Sequence, residues 1–452
     1  MVHKYNMNNF YIVVDSNSGS IHVVDELAYD ILDFYKDNSL SYIQEKLGNN
    51  YDKEKIKECY LEIKELENQD LLYSKDIYKN MINNLNQRNP VVKALCLHVA
   101  HDCNLKCEYC FAEEGEYKGK RSLMSLEVGK NSIDFILKNS GKRRNLEIDF
   151  FGGEPLMNFE VVKGIVEYGR EKEKEYNKKI RFTLTTNGLL LDDCKLEYIN
   201  KNMDNVVLSI DGRKDINDKM RKCNNEEKSS YEIIVPKFKK LAESRNQANY
   251  YVRGTFTREN LDFSKDVIHL ADLGFKQVSV EPVVADKEEW YSLREEDVQQ
   301  ICEEYEKLAQ TMLKRQKEGK DFNFFHFMID LTGGPCAAKR LVGCGAGTEY
   351  LAVTPEGDLY PCHQFVGMED FVMGTVVKGL TNEDKYKQFE NSNIYAKEDC
   401  KTCWGKFYCS GGCAANAYSN NGNILSTYKV GCDLQLKRTE CAIMMKVAEA
   451  NV

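Results

Sequence analysis

Residues 93–110, KALCLHVAHDCNLKCEYC, combine an apolar run with three closely spaced cysteines. The apolar part predicts a buried β-strand, and Cys103, Cys107 and Cys110 follow it with the spacing C-x3-C-x2-C. Three thiolates can hold three irons of a [4Fe-4S] cluster and leave the fourth iron free to bind a ligand. Zinc prefers four ligands, commonly in C-x2-C pairs, so these three cysteines do not close a zinc site. The stretch therefore predicts a strand that ends at a chemically active iron–sulfur cluster.

The composition limits the classes of protein that fit this chain. Its 452 residues predict two to three domains, and a formal net charge of -9 argues against a nucleic-acid-binding surface. The start, MVHKYNMNNF, lacks the apolar core of a signal peptide. No run of about 18 apolar residues occurs, so we expect no membrane span. The 17 cysteines without a secretory signal indicate metal or redox chemistry in a reducing cytoplasm.

Strands and helices alternate from residue 89 to 316, which we expect to form one domain. The predicted strands are Lys93–Ala100, Leu146–Phe151, Ile180–Thr185, Val206–Ile210, Tyr250–Phe256 and Gln277–Val284. Helical patterns such as 126–138 and 263–273 lie between them. This order predicts an α/β fold with a parallel sheet, and six units suit a partial (β/α)6 TIM-type barrel rather than a full eight-stranded one. Parallel barrels carry their chemistry at the carboxyl ends of the strands, and the cysteine triplet follows the first strand.

Residues 1–88 predict a small domain of a different kind. Two β-rich runs flank a Ser-Asn-Ser-Gly turn, and three helices follow, the first two capped by Asp25 and Ser39. LLYS (71–74) predicts a further strand. The order resembles a winged helix-turn-helix and the leader-recognition domain of enzymes that modify ribosomally made peptides. Such a domain captures an extended peptide as an added strand at its sheet edge. DNA binding is disfavoured, because the region holds ten Lys and Arg against fifteen Asp and Glu; a purely structural cap is the other alternative.

The triplet also carries a resemblance to a known family. Tyr109 directly precedes Cys110, and the pattern C-x3-C-x-aromatic-C resembles the motif of radical S-adenosylmethionine (SAM) enzymes. The resemblance implies that Cys103, Cys107 and Cys110 hold a cluster whose free iron takes the amino and carboxylate groups of SAM.

Further motifs follow the later strands, where the resemblance implies contacts to SAM. A Gly-Gly-Glu-Pro motif at 152–155 is similar to the family segment that binds the SAM amino group, and its glycines let the backbone approach a ligand closely. Arg221 suits the SAM carboxylate because a guanidinium can donate two parallel hydrogen bonds to it. The alternative is that Arg221 is a solvated surface residue without this role. Arg253 is a weaker candidate for the ribose or a substrate carbonyl. The implied contacts to SAM are Tyr109, Gly152, Gly153, Glu154, Asn187, Ser209 and Arg221.

Residues 317–452 contain nine cysteines, and seven of them form a long, ordered pattern that resembles the SPASM domain, which holds two auxiliary [4Fe-4S] clusters. The resemblance assigns the distal cluster to Cys400, Cys403, Cys409 and Cys432. It assigns the proximal cluster to Cys344, Cys362 and Cys413, which leaves one iron open. We favour a cysteine of a bound peptide as the ligand of that iron. Closure by Cys336 is the alternative, at a spacing that departs from the family pattern.

The segments 344–367 and 399–418, together with the N-terminal region, resemble maturases of six-cysteine (SCIFF) peptides, which are sactionine synthases. The resemblance implies an oxidoreductase with SAM and three [4Fe-4S] clusters as cofactors and a reducing partner such as flavodoxin or ferredoxin. It implies that a hydrogen is taken from a carbon of an acceptor residue, Thr in this family. A peptide cysteine then bonds to that carbon as a thioether. The implied partner is a Cys-rich, ribosomally made precursor peptide.

Two other functions share part of this pattern. A formylglycine-forming sulfatase maturase would carry the same clusters but would have little use for a leader-binding domain. An iron–sulfur redox-sensing regulator would join a winged helix to clusters, but it would need neither the Gly-Gly-Glu-Pro motif nor six βα units. The sequence leaves open the peptide, the acceptor carbon, the number of crosslinks, the roles of Cys336 and Cys441, and the oligomeric state.

Overall fold

The computed structural model describes residues 1–82, 91–117, 119–225, 227–331 and 337–450. The N-terminal part of the chain forms a small α/β unit. Three antiparallel strands, β1 (Val2–Met7), β2 (Phe10–Asp15) and β3 (Ile21–Val24), pair in the order β1-β2-β3. Helices α1 (Glu26–Ile31), α2 (Leu40–Leu47) and α3 (Lys53–Asn68) follow. Each helix begins after an Asp or Ser whose side chain accepts a backbone N–H of the first turn, which is why the sequence predicts these starts.

The predicted strand at 71–74 is wrong, because this segment forms bends. Tyr73 has a φ of 54°, in the left-handed region. Ser74 donates both its backbone N–H and its hydroxyl to the buried carboxylate of Asp15. The segment is therefore hydrogen-bonded to the Asp15 side chain and does not pair with a neighbouring strand. Strand β1, which the sequence did not predict, instead completes the sheet.

The next part of the chain forms the predicted parallel barrel. In chain order its strands are β4 (Ala94–His101), β5 (Leu105–Cys107), β6 (Ser122–Leu123), β7 (Asn145–Gly152), β8 (Lys179–Thr186), β9 (Asn205–Ser209), β10 (Arg221–Cys223), β11 (Tyr250–Phe256) and β12 (Gln277–Pro282). Strands β4, β7, β8, β9, β11 and β12 pair in parallel in that order, which confirms the six predicted strands and the partial barrel. The helices between and after them are α4 (Leu126–Asn139), α5 (Phe159–Tyr176), α6 (Asp193–Asn202), α7 (Lys214–Met220), α8 (Ser230–Ser244), α9 (Ser264–Asp272) and α10 (Val298–Lys317).

The alternation of residues along these strands separates an apolar outer face from a polar inner face. In β8, Phe182 and Leu184 are fully buried, and Phe182 stacks on Phe150 of β7 at a ring distance of 5.7 Å. The intervening Thr183 and Thr185 line the barrel interior. Successive side chains of a strand point to opposite faces. When the apolar residues of β8 pack against the helices, the polar residues between them therefore point into the barrel.

The sheet continues on both sides of the six strands. Strand β13 (Asn323–Phe324) pairs with β12, and β14 (Tyr350–Val353) pairs in parallel with β4. Strands β15 (Asp358–Tyr360), β16 (Gly374–Thr375) and β17 (Gly379–Leu380) extend the sheet beyond β14. The sheet therefore crosses the domain boundary predicted at 316, whereas the boundary predicted at 88 lies outside the described residues.

The C-terminal region is mostly short helices that precede one long helix. They are α11 (Ala337–Val342), α12 (Glu383–Glu390), α13 (Glu398–Lys401), α14 (Lys406–Cys409), α15 (Ala414–Asn421) and α16 (Lys429–Ala450). The sequence did not predict the 22-residue α16. Consecutive residues Cys441–Met445 are all buried, so this part of the helix shows no polar face by which its period could be recognised. No helix in the described ranges is both long and apolar enough to cross a membrane.

The N-terminal unit docks onto this C-terminal region. Tyr5 donates to the Glu440 carbonyl at 3.0 Å, and the His3 ring stacks on Trp404 at 4.0 Å. Asp76 accepts from Lys406 at 2.8 Å and from the Tyr395 hydroxyl at 2.7 Å. The Lys406 side chain is only 4% exposed, so its charge depends on Asp76 for compensation.

We expect Asp76→Asn to destabilise the protein by about 1–3 kcal/mol, because it leaves the Lys406 ammonium buried without its counter-charge. Thermal denaturation of the purified protein measures this loss. Glu54→Gln, at an exposed ion pair with Lys57, is the matched control and should change stability little. Equal effects of the two substitutions would contradict the role of the buried pair.

The same pair predicts a pH dependence. Burial opposes ionisation of Asp76, but hydrogen bonds from Lys406 and Tyr395 outweigh burial and lower its pKa. Its stabilising contribution is therefore complete above the pKa of the unfolded chain and is lost as the pH falls through the lower folded-state pKa. The difference in stability between the wild type and Asp76→Asn should shrink on acidification.

Candidate functional site

The three N-terminal cysteines come together at the carboxyl end of β4. Cys103, Cys107 and Cys110 line one cavity. Strand β5 pairs with β10 so that Cys107 lies opposite Arg221, more than a hundred residues away along the chain. Burial raises the pKa of Cys103 to about 12, and Cys103 also interacts electrostatically with Cys110. A set of sulfur donors thus surrounds the cavity, at the position that the sequence predicts.

Two glycines bring the end of β7 against the cysteine loop. Gly152 has a φ of 120°, and a Cβ at this position would lie 2.3 Å from the Ala100 carbonyl oxygen. A Cβ at Gly153 would lie 2.1 Å from the Asp102 carbonyl oxygen. Both glycines line the cavity. Any side chain at either position would push β7 and the cysteine loop apart, which explains the glycine pair of the motif.

Glu154 takes a different position from the other predicted SAM contacts. Its carboxylate accepts from the backbone N–H of Leu156 at 3.0 Å and of Asn187 at 2.7 Å, and from the Thr186 hydroxyl at 2.8 Å. The residue is fully buried, and burial raises its pKa to about 7. The side chain therefore fastens the ends of β7 and β8 together. It does not line the cavity, so a contact to a ligand there would come from the backbone.

Asn187 and Ser209 both line the cavity, as the sequence predicts for residues that follow β8 and end β9. The Asn187 side-chain amide donates to Asn104 Oδ1 at 2.8 Å and lies 3.7 Å from Cys103 Sγ. The end of β8 is thus tied to the cysteine loop.

A buried carboxylate that the sequence analysis did not single out organises the opposite wall. Asp211 is fully buried and accepts from the Tyr109 hydroxyl at 2.8 Å and from the Thr255 backbone N–H at 3.0 Å. Arg221 Nε lies 3.0 Å from Asp211 Oδ1, although the angle is not that of a hydrogen bond. Arg221 and Tyr109 both line the cavity. Asp211 follows a buried strand directly, and this position at a strand end was the signal that could have revealed it.

The polar interior continues below this cavity. Arg253 donates to Glu281 through Nε at 2.8 Å and Nη2 at 2.5 Å. Burial alone would raise the pKa of Glu281, but Arg253 outweighs burial and lowers it to about 2. Both residues line the upper cavity and also a lower one, which contains Asp149 and Thr183. Burial raises the pKa of Asp149 to about 7. Two neighbouring cavities, one beside the cysteine loop and one further inside the barrel, therefore share the Arg253–Glu281 pair in their walls.

The seven C-terminal cysteines separate into two groups. Cys362 interacts electrostatically with Cys413 and Cys344. Cys432 interacts with the thiols of Cys409, Cys400 and Cys403. These groups have the membership that the resemblance implies for the proximal and distal clusters, and their role as ligands stays a prediction. Cys336 lies outside the described residues, whereas Cys441 is fully buried in α16.

The thiol groups fit iron–sulfur clusters better than single metal ions. Across the described residues, no three His, Cys, Asp or Glu side chains converge as they would around one ion. A cluster takes one cysteine on each iron, so its ligands need not converge on one point. The donor sets consist of sulfur alone, which is the chemistry that such clusters require. Cys103, Cys107 and Cys110 would hold one cluster, with Asn187, Ser209 and Arg221 beside it for a polar ligand.

Known proteins show the same combination of parts. A family model described as a 4Fe-4S single cluster domain matches residues 92–234, and the SPASM model, described as an iron-sulfur cluster-binding domain, matches residues 344–404. The chain is 22% identical to the radical SAM cyclopropyl synthase TigE of Paramaledivibacter caminithermalis, over 94% of this chain and 91% of that protein. It is 27% identical to a cysteine-type anaerobic sulfatase-maturating enzyme of Clostridium perfringens strain 13, over 72% of this chain and 89% of that protein.

A solved structure extends the similarity to nearly the whole chain. The crystal structure of Streptococcus suis SuiB bound to precursor peptide SuiA superposes with a TM-score of 0.53 at 15% identity. It covers 95% of this chain and 98% of that one. The fold, the sulfur donor sets and the two family matches agree. The chain is therefore similar to radical SAM proteins with a C-terminal SPASM domain, and this similarity implies SAM and [4Fe-4S] clusters as its cofactors.

Proposed function

We propose that the protein is a peptide maturase that joins a cysteine sulfur to an acceptor carbon, of Thr in the family it resembles, within a Cys-rich precursor peptide. The observation that carries this proposal is the position of the proximal thiol group beside the barrel interior. Cys362 interacts with Cys96, which lines the lower cavity, and the adjacent His363 lines both cavities. A peptide thiol held at the proximal group would therefore lie next to these cavities, which would receive the acceptor residue.

The bound cofactors supply the one-electron chemistry that removes a hydrogen from the acceptor carbon. The residues of this chain support that chemistry because they form and orient the walls of the cavities. Asp211 fixes Tyr109 and Arg221 in the cavity wall, and Arg221 presents a cation suited to a carboxylate. The Arg253–Glu281 pair lies in the walls of both cavities and offers polar groups to a peptide backbone.

The N-terminal unit supports a peptide substrate. Strand β3 pairs with β2 on one side, and among the described residues no strand covers its other edge. Val23 on this edge is 49% exposed. An extended leader segment could add to the edge as a further strand, which would raise the local concentration of the peptide at the barrel. One similar protein, SuiB, was solved with its precursor peptide bound.

The remaining partners of the reaction follow from its electron balance. Hydrogen removal and carbon–sulfur bond formation oxidise the peptide by two electrons, and the auxiliary clusters would accept the electron that remains after the bond forms. Reductive cleavage of SAM needs a low-potential donor such as flavodoxin or ferredoxin. We propose a cytoplasmic location, where thiols stay reduced.

Formylglycine formation is the second candidate, because a sulfatase-maturating enzyme is among the similar proteins. A single test separates it from thioether synthesis. The anaerobically reconstituted protein is incubated with SAM, dithionite and either a Cys-rich precursor peptide or a sulfatase peptide. Thioether synthesis removes two hydrogens and one alkylatable thiol from the precursor, whereas formylglycine formation converts the sulfatase cysteine to an aldehyde. Mass spectrometry distinguishes the two products.

We expect replacement of Cys103, Cys107 and Cys110 by Ala to abolish formation of 5'-deoxyadenosine, because the SAM-binding cluster loses its ligands. The auxiliary clusters should remain, as shown by iron content and absorbance. Cys194→Ala, at an exposed cysteine outside all three groups, is the matched control and should keep full activity. Cleavage of SAM by the triple variant would refute the site.

Val23→Lys should weaken binding of the leader segment by about tenfold, roughly 1.4 kcal/mol, because a charge on an edge strand discourages strand addition. Isothermal titration calorimetry with a leader peptide measures the affinity. Val377→Lys is the control, since Val377 is 76% exposed and lies in the C-terminal region. Equal affinity of both variants and the wild type would show that the leader does not use this edge.

A further inference from the structure

A buried lysine lies at the junction of the two C-terminal thiol groups. Lys397 is 3% exposed, and its Nζ donates to the Gly411 carbonyl at 2.7 Å. Gly411 belongs to the short loop between Cys409 of the distal group and Cys413 of the proximal group. The lysine side chain runs along this loop, since a Cβ at Gly411 would lie 3.7 Å from Lys397 Cδ and 3.8 Å from its Cε. One side chain thus contacts the segment that joins the two groups.

The hydrogen bonds in the structure do not account for this charge. An ammonium has three donors, and the Gly411 carbonyl is the acceptor that the described part of the chain provides. Burial of an unpaired charge is costly, so a buried ammonium requires negative charge nearby. Cys400, Cys409, Cys413 and Cys432, which belong to both sets, would provide it as thiolates that ligate the clusters.

Two other cations lie near the thiols, but each has a partner of its own and interacts with cysteines of the distal group. Lys406 acts on Cys403 of the distal group, but it is paired with Asp76. Arg438 interacts electrostatically with Cys409, and its guanidinium donates a hydrogen bond to the His326 ring at 3.0 Å. Among Lys397, Lys406 and Arg438, Lys397 alone interacts electrostatically with cysteines of both sets.

We propose that Lys397 is a positioning residue that raises the reduction potential of both auxiliary clusters through its charge. The proposal rests on the ligand sets given under the proposed function. A reduced cluster carries one more negative charge than an oxidised one, so a fixed cation in a low-dielectric surrounding favours the reduced form. Groups around a metal site tune its potential in this way without ligating it. Both clusters would then be good acceptors for the electron that leaves the modified peptide.

The test compares reduction potentials of the reconstituted holoenzyme by anaerobic redox titration with electron paramagnetic resonance. Lys397→Met removes the charge and keeps an unbranched side chain of similar length. We expect about a tenfold lower reduction equilibrium constant for both auxiliary clusters, ~59 mV for one electron. The SAM-binding cluster should keep its potential. Lys401→Met is the matched control, because the same charge is lost from a half-exposed side chain nearby, and no shift is expected.

Lys397→Arg separates charge from structure, because it keeps the cation but changes its shape. Potentials close to those of the wild type in this variant would support the charge effect. Equal shifts in the Arg and Met variants would overturn it. Unchanged potentials in Lys397→Met, with both auxiliary clusters present, would also overturn the inference and leave the proposed function intact. A wild-type protein that binds only the SAM-binding cluster would refute the ligand sets and with them both proposals.

Discussion

The contact between two backbones holds the candidate site together. At the end of β7, Gly152 and Gly153 lie against the carbonyl oxygens of Ala100 and Asp102, closer than any side chain would allow. The Gly153 N–H donates to Ala100 and the Glu154 N–H donates to Asp102, at 2.8 and 2.9 Å. The cysteine loop therefore has a fixed position relative to the sheet. The remaining walls of the cavity build on this arrangement.

Buried carboxylates extend the same principle around the barrel rim. Glu154 joins the ends of β7 and β8, and Asp211 joins the cysteine loop to β11 through Tyr109 and Thr255. Each of these carboxylates accepts several hydrogen bonds, which compensates its burial. The strand ends are held by side chains instead of by loops alone, and a site on such a rigid frame keeps its geometry while a substrate enters and leaves.

Much of this architecture was predictable, because its determinants are local. Each barrel strand is a short apolar run followed by a helical pattern, and each N-terminal helix has a capping residue directly before it. The cysteine groups were predictable because their spacing resembles known families. The missed features are non-local. The consecutive burial of Cys441–Met445 in α16 obscures the period that would reveal the helix. The tie between Asp15 and Ser74 replaces a strand that local composition favours. The roles of Glu154 and Asp211 depend on donors that other strands supply.

The pairing of β14 with β4 has a consequence for the order in which the protein forms during synthesis. Strand β4, which leads into the cysteine loop, keeps one edge open until residues 350–353 have left the ribosome. Synthesis adds about 5–20 residues per second, so this edge is exposed for tens of seconds or less after β4 emerges. Such an edge is prone to pairing with other chains. The edge of β4 at residues 94–97 is therefore open to wrong pairing until the last third of the chain closes the sheet beside it.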